Sequence, residues 1–292
     1  MIRKVTAVLV CLCSIISCVK NSPVPSKEMV FVEGGVFQMG SESIEWNTPR
    51  EVELSSFYMA RNLVTVKEWK EFLNDVAVPF NWDLEESHSF DGKLKDLMPE
   101  EDCPIQGMNW YYAVAYCNWL SKRDGFRPCY RVKGEIKDKR SNPEVVWNKK
   151  ANGYRLPTDA EWEYAARGGR LSKGYLFAGS DDVTEVARIG QNTSYPVGQM
   201  MPNELGLYDM TGNVEIWCWD WFDTDPSKIT KKKNPSIDKE SDVQNRDERN
   251  PESMKVIRGI DWKYPPINVF ERSHYPPQYI LWIGIRLVRN VE

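Results

Sequence analysis

The chain has 292 residues, 38 basic and 42 acidic side chains, a formal net charge of -4 and 41% hydrophobic residues. That length supports one large domain or two small ones with a substantial core, and the mild acidity excludes a protein that holds nucleic acid by neutralising phosphates. Two histidines in the whole chain, His88 and His274, exclude a site built from a cluster of imidazole ligands.

The first predicted element is an address. Arg3 and Lys4 precede an apolar run from Val5 to Ile16, broken only by Thr6 and Ser14, and then Ser17 and Cys18. A charged start, a short apolar stretch and a small residue describe a secretory signal, too short to span a bilayer. The Ile15-Ile16-Ser17-Cys18 ending resembles a bacterial lipoprotein box, which implies cleavage after residue 17 and acylation of Cys18. Two or more acyl chains anchor firmly, each buried methylene contributing about 0.8 kcal/mol. Residues 1–17 are thus expected to be a signal peptide, and residues 18–28, polar with Pro23 and Pro25, a tether. The expected location is the bacterial outer membrane or cell surface, with the membrane as one partner through lipidated Cys18.

From Met29, the run MVFVEGGVFQMG is two apolar stretches around Gly34-Gly35, which predicts a hairpin. Glu51 to Phe57 alternates acidic and apolar residues, the pattern of a half-exposed strand. Thr65 and Glu68 form a capping box ahead of Val66, Trp69, Phe72 and Leu73 at helical spacing. A second helix is predicted from about Asn109, with Gly125 beyond its end, and a third where Thr158 and Glu161 close a box and Gly168-Gly169 stop the helix. Between Asp223 and Lys255 the composition turns polar and charged, with Lys231-Lys232-Lys233, and a solvated loop is expected. Among the cysteines left after the signal, Cys117 and Cys218 read as buried free thiols, while a Cys103–Cys129 pair stays open because spacing does not choose.

Several blocks together resemble the formylglycine-generating-enzyme, or sulfatase-modifying-factor, family with its C-type lectin fold. They are MVFVEGGVFQMGS at 29–41, WYYAVAYCNWLSKRDG at 110–125, NGYRLPTDAEWEYAARGG at 152–169, PNELGLYDMTGNVEIWCWDWF at 202–222, RGIDW at 258–262 and IGIRLVR at 283–289. The resemblance implies an α+β fold, a C-type lectin-like domain over residues 29–292 with little regular sheet and long loops. Chemistry does not follow from the frame. The family's oxidases carry a reactive cysteine pair after the segment matching RGIDW, and here Lys263 to Leu281 holds no cysteine. The related sulfoxide synthases rely on a histidine triad, which two histidines do not make. The family's calcium-holding glutamate falls on Ile216, with Glu215 one residue early and so on the opposite face of a strand. No catalysis, no cofactor and no metal are therefore expected.

The segment from Arg258 to about residue 288 resembles the variable region of lectin-type proteins diversified by a retroelement. In such systems AAC codons of a template are rewritten to other codons ending in C, which never encode Trp, Lys, Glu, Gln or Met. The resemblance marks Ile260, Asp261, Tyr264, Pro265, Asn268, Phe270, Ser273, His274, Tyr275, Tyr279 and Leu281 as variable ligand-binding positions, and Trp262, Lys263, Glu271, Gln278 and Trp282 as fixed frame. Independently of it, the prolines at 265, 266, 276 and 277 exclude regular ladders, and irregular backbone studded with Tyr and Phe suits a binding surface, since rigid rings give contact area at low entropic cost. The alternative is that these rings line the domain's own loop core. The expectation is a monomeric, lipid-anchored surface protein that binds an unknown protein or other macromolecule without transforming it. Two alternatives stand beside it: a formylglycine-generating-type oxidase, and a structural envelope lipoprotein that docks a partner through the 223–255 loop.

Overall fold

The computed structural model describes residues 24–44, 47–75, 88–89, 92–136, 142–225, 229, 231–243, 253–260, 268–279 and 282–291. The signal, Cys18, Asp261, Tyr264, Pro265 and Leu281 lie outside the described residues, as do Trp262 and Lys263. In chain order the elements are β1 (Met29–Val32), β2 (Gly35–Met39), β3 (Arg50–Leu54), β4 (Phe57–Ala60), α1 (Val66–Asn74), β5 (His88–Ser89), β6 (Gly92–Lys93), α2 (Leu94–Leu97) and α3 (Trp110–Arg123). They continue with β7 (Tyr130–Lys133), β8 (Glu144–Trp147), β9 (Tyr154–Arg155), α4 (Asp159–Ala166), α5 (Val183–Val186), β10 (Glu215–Trp221), β11 (Lys255–Arg258), β12 (Ser273–Tyr275), β13 (Ile283–Gly284) and β14 (Val288–Asn290). Short strands and helices joined by long irregular stretches make the α+β C-type lectin-like architecture that the blocks implied.

Local chemistry sets the helices. Thr65 Oγ1 accepts the Glu68 N–H at 3.3 Å while Glu68 accepts the Thr65 N–H at 2.8 Å, so two orphan donors at the start of α1 are satisfied reciprocally. The helix then buries Val66, Trp69 and Phe72. The Asn109 side chain accepts the Tyr112 N–H at 2.9 Å and starts α3. Thr158 and Glu161 repeat the box on α4, whose eight residues are all buried, and Gly168 at φ 88° ends it in the left-handed conformation that glycine adopts without strain.

Two four-stranded sheets organise the rest. One has the order β1-β4-β14-β9, so that β4 pairs with strands near both ends of the domain, Met59 facing Val30 and Val288. The other, β12-β11-β10-β13, carries the C-terminal segment. The core is aromatic, with Trp69, Trp110, Trp217 and Trp219 almost fully buried.

Two expectations are corrected. The Gly34-Gly35 hairpin does not form: β1 pairs with β4, and β2 with β3. Neither glycine has the positive φ that a tight hairpin turn requires. Gly34 is instead pressed against the chain at 54–56, where an added Cβ would lie 2.3 Å from the Leu54 carbonyl oxygen. The described part of the 223–255 loop, in turn, docks onto the body. The Glu53 N–H donates to Lys232 O at 3.0 Å, Asn234 N–H to Glu53 O at 2.8 Å, and Ile237 is buried. Lys232 and Lys233 face Glu51 and Glu53 of β3 in exposed ion pairs, which stabilise little.

Candidate functional site

The backbone of residues 268–273 is fastened from below by buried charge. Arg258, at the end of β11, donates through Nε to Asp159 Oδ1 at 2.5 Å, through Nη2 to Glu163 Oε2 at 2.8 Å, and through Nη1 to the Glu271 carbonyl at 2.7 Å. Arg272 lies 2.8 Å from Asp159 Oδ2 and donates to the Asp223 carbonyl at 3.1 Å. Asn47 reaches from the loop between β2 and β3, donating to Glu163 Oε2 at 2.9 Å and to the Phe270 carbonyl at 2.6 Å. Burial alone would raise the Asp159 carboxyl, but Arg258, Arg272 and Arg50 outweigh it and hold it below the usual carboxylate range. Each of these side chains has at least one partner of opposite charge or a hydrogen-bond acceptor, which offsets part of the desolvation cost of a buried ion network. The segment's outer side is fixed too: Val269 is buried and its N–H donates to Leu176 O at 3.0 Å.

On this clamped backbone the sequence-expected residues differ in what they present. Tyr275 and Tyr279 are the exposed ones, at 37% and 45%. Asn268, Phe270, Ser273 and His274 are half-buried. Phe270 lies under the Arg167 guanidinium, 5.2 Å from the ring centroid, and His274 stacks on Phe222 at 3.9 Å. Ile260, 6% exposed, faces the interior and offers a ligand almost no surface, an apolar side chain being better placed there than in water. β12 aligns Ser273, His274 and Tyr275 with Ile257, Val256 and Lys255 of β11. The following turn is held by the Trp110 N–H on the Pro277 carbonyl at 3.0 Å and by the Tyr279 N–H on the Pro276 carbonyl at 3.1 Å. Two of the residues expected as frame are fastened: Glu271 through its carbonyl to Arg258, and Trp282 by packing against the core. Asn47, Arg167 and Phe222 complete the surroundings without having been marked in the sequence. Arg167 and Phe222 sit inside quoted blocks, whereas nothing local to Asn47 announces its role.

Cys103, Cys117, Cys129 and Cys218 are all buried and free, so the Cys103–Cys129 pair is absent. Burial raises all four thiols, Cys129 to about 11, which starves them of the thiolate a nucleophile needs. Along GNVEIW, Ile216 is buried, and Asn213 spends its amide on Tyr195 and Asp209. Among the described residues no group of three or more His, Cys, Asp or Glu side chains is placed to hold a metal ion.

Comparison with known proteins matches this geometry to a family. The model of the sulfatase-modifying factor enzyme 1-like domain fits residues 17–291. A protein of Paenibacillus barcinonensis named chaperone protein LppX is 35% identical over 223 residues, 67% of this chain and 72% of its own. The formylglycine-generating enzyme of Thermomonospora curvata is 29% identical over 233 residues, covering 68% and 73%. Among solved structures, Treponema denticola variable protein 1 superposes with a TM-score of 0.69 at 26% identity, over 90% of this chain and 95% of that one. The chain belongs to the sulfatase-modifying factor enzyme 1-like domain family.

Proposed function

We propose that this protein is a non-catalytic receptor of the bacterial envelope, held at the surface by lipidated Cys18, whose C-terminal lectin-type face binds a macromolecular ligand through side chains diversified by a retroelement. The observation that carries the reading is the division of labour within residues 268–279. Their backbone is tied to buried Arg258, Asn47 and the Trp110 N–H, while Tyr275 and Tyr279 project at 37% and 45% exposure. A surface that tolerates exchange of side chains needs a backbone held by groups other than those side chains, and preorganisation of this kind lowers the ordering cost of binding. The likeness to a variable protein supports the same reading, and a relative named as a chaperone makes a protein the first ligand class to try.

The oxidase reading is disfavoured by chemistry. Lys263 to Leu281 holds no cysteine, and the four described thiols are buried. The DNA beside the coding sequence tests the proposal: it predicts a near-copy of the codons for residues 258–288, rich in AAC, next to a reverse transcriptase gene. A locus with neither removes the diversification. Formylglycine produced from a sulfatase-derived cysteine peptide would remove the non-catalytic reading.

A further inference from the structure

Apart from the 268–279 face, a cavity of about 750 Å³ opens between the β7–β8 hairpin, the start of α3 and the 238–241 stretch, with Trp110, Tyr111, Trp147, Trp219, Trp221 and Lys255 in its lining. Its volume suits a small organic molecule. Lys255 is 1% exposed, and its Nζ sits 4.1, 4.8 and 4.0 Å from the ring centroids of Trp110, Trp219 and Trp221. The ammonium carries three donors and spends one, on the Trp219 carbonyl at 2.7 Å. No carboxylate among the described residues pairs with it. A second donor in the same lining, the Trp147 Nε1–H, is buried without an acceptor. The rim carboxylates are already engaged: Glu144 pairs with Lys133 at 2.8 Å, Asp238 pairs with Lys149 at 2.6 Å, and Glu240 accepts the Ser253 hydroxyl.

Buried donors left over in a cavity call for an acceptor, because each costs free energy while unmade. A buried amine with no carboxylate bonded to it takes up its charge when an anion binds beside it. Indole walls call for a ligand with a flat apolar face. Burial pushes the Lys255 amine well down, against the pull of Asp220, Asp238 and Glu240 toward the charged form. We infer that this cavity is a binding site for a small molecule whose carboxylate is carried on a ring with an apolar face, such as an acidic sugar or an aromatic acid. The carboxylate takes the free donors of Lys255 and Trp147, and the ring lies against the indoles. This inference does not rest on the proposed variable face.

The test titrates the intrinsic tryptophan fluorescence of the full chain with two matched pairs, glucuronic acid against glucose and benzoic acid against benzyl alcohol. At least one acid should perturb the emission saturably, with its neutral counterpart at least about tenfold weaker. Lys255→Met should erase that preference. Trp147→Phe keeps a ring and deletes the donor, so it should weaken the acid several-fold at an unchanged melting temperature, and it carries the test if Lys255→Met fails to fold. Tyr279→Ala should leave the titration unchanged, which separates this site from the variable face. Equal response to acid and neutral partner, or no saturation by either acid below about 10 mM, overturns the inference.

Discussion

Arg258 Nε donates to Asp159 Oδ1 across 2.5 Å, joining the end of a strand to the first turn of a helix 99 residues earlier, with both side chains buried. The same guanidinium holds the Glu271 carbonyl, so the core's ionic network and the displayed segment are one unit. Arg258→Met leaves Asp159 and Glu163 with a buried charge deficit. It should cost about 3–5 kcal/mol in urea unfolding and speed amide exchange over residues 269–273. A stability loss without faster exchange there would separate the network from the segment.

Asp220 gives the pH dependence. Burial first, and then Asp159, push its carboxyl up to about 7. An unfolded aspartate titrates near 4, so between about pH 4 and 7 the folded state holds a proton that the unfolded state has lost, and stability falls as pH rises. Urea midpoints should decline through that window, by an amount of order 2–4 kcal/mol in free energy, and Asp220→Asn should flatten the decline. An unchanged slope in the variant would assign the effect to another group.

Exposure separates display from frame. Tyr275→Ala and Tyr279→Ala should each change stability by about 1 kcal/mol or less. Trp69→Ala, emptying a fully buried site that packs on Phe72 at 4.8 Å, should cost about 3–5 kcal/mol. Thermal melts compare the three directly, and a Tyr279→Ala loss as large as that of Trp69→Ala would put the ring in the frame.

Gly34→Ala inserts a methyl group 2.3 Å from the Leu54 carbonyl oxygen. Backbone must then move against backbone, at about 1–3 kcal/mol. Thermal melts check it, and a Gly34→Ala protein as stable as the parent would show that the 54–56 backbone yields without cost.

The four described cysteines should stay inert to a soluble thiol reagent in the native state and react together on unfolding. Fast labelling of any of them in the native protein would reopen the oxidase reading.

What the sequence made legible was local. Both capping boxes, the Asn109 cap and the stop at Gly168 are readable because their donors and acceptors lie within four residues of one another. Pairing was not legible: the residues that pull β1 toward β4 and away from β2 sit near 54–60, beyond any hairpin signal. The 231–243 stretch reads as solvated because its lysines dominate the composition, yet Pro235 and Ile237 anchor it. The support of the displayed face was the least legible part. Arg258, Asp159, Glu163 and Asn47 are residue types expected at the surface, and only their convergence from three segments shows that they are buried scaffold.

The most direct measurement is the sequence of residues 258–288 in many sibling cells descended from one founder. The account predicts substitutions concentrated on the variable positions, Tyr275 and Tyr279 among them, with Glu271, Gln278 and Trp282 unchanged. Substitutions spread evenly along the segment, or falling as often on Glu271 and Trp282 as on Tyr279, would contradict it.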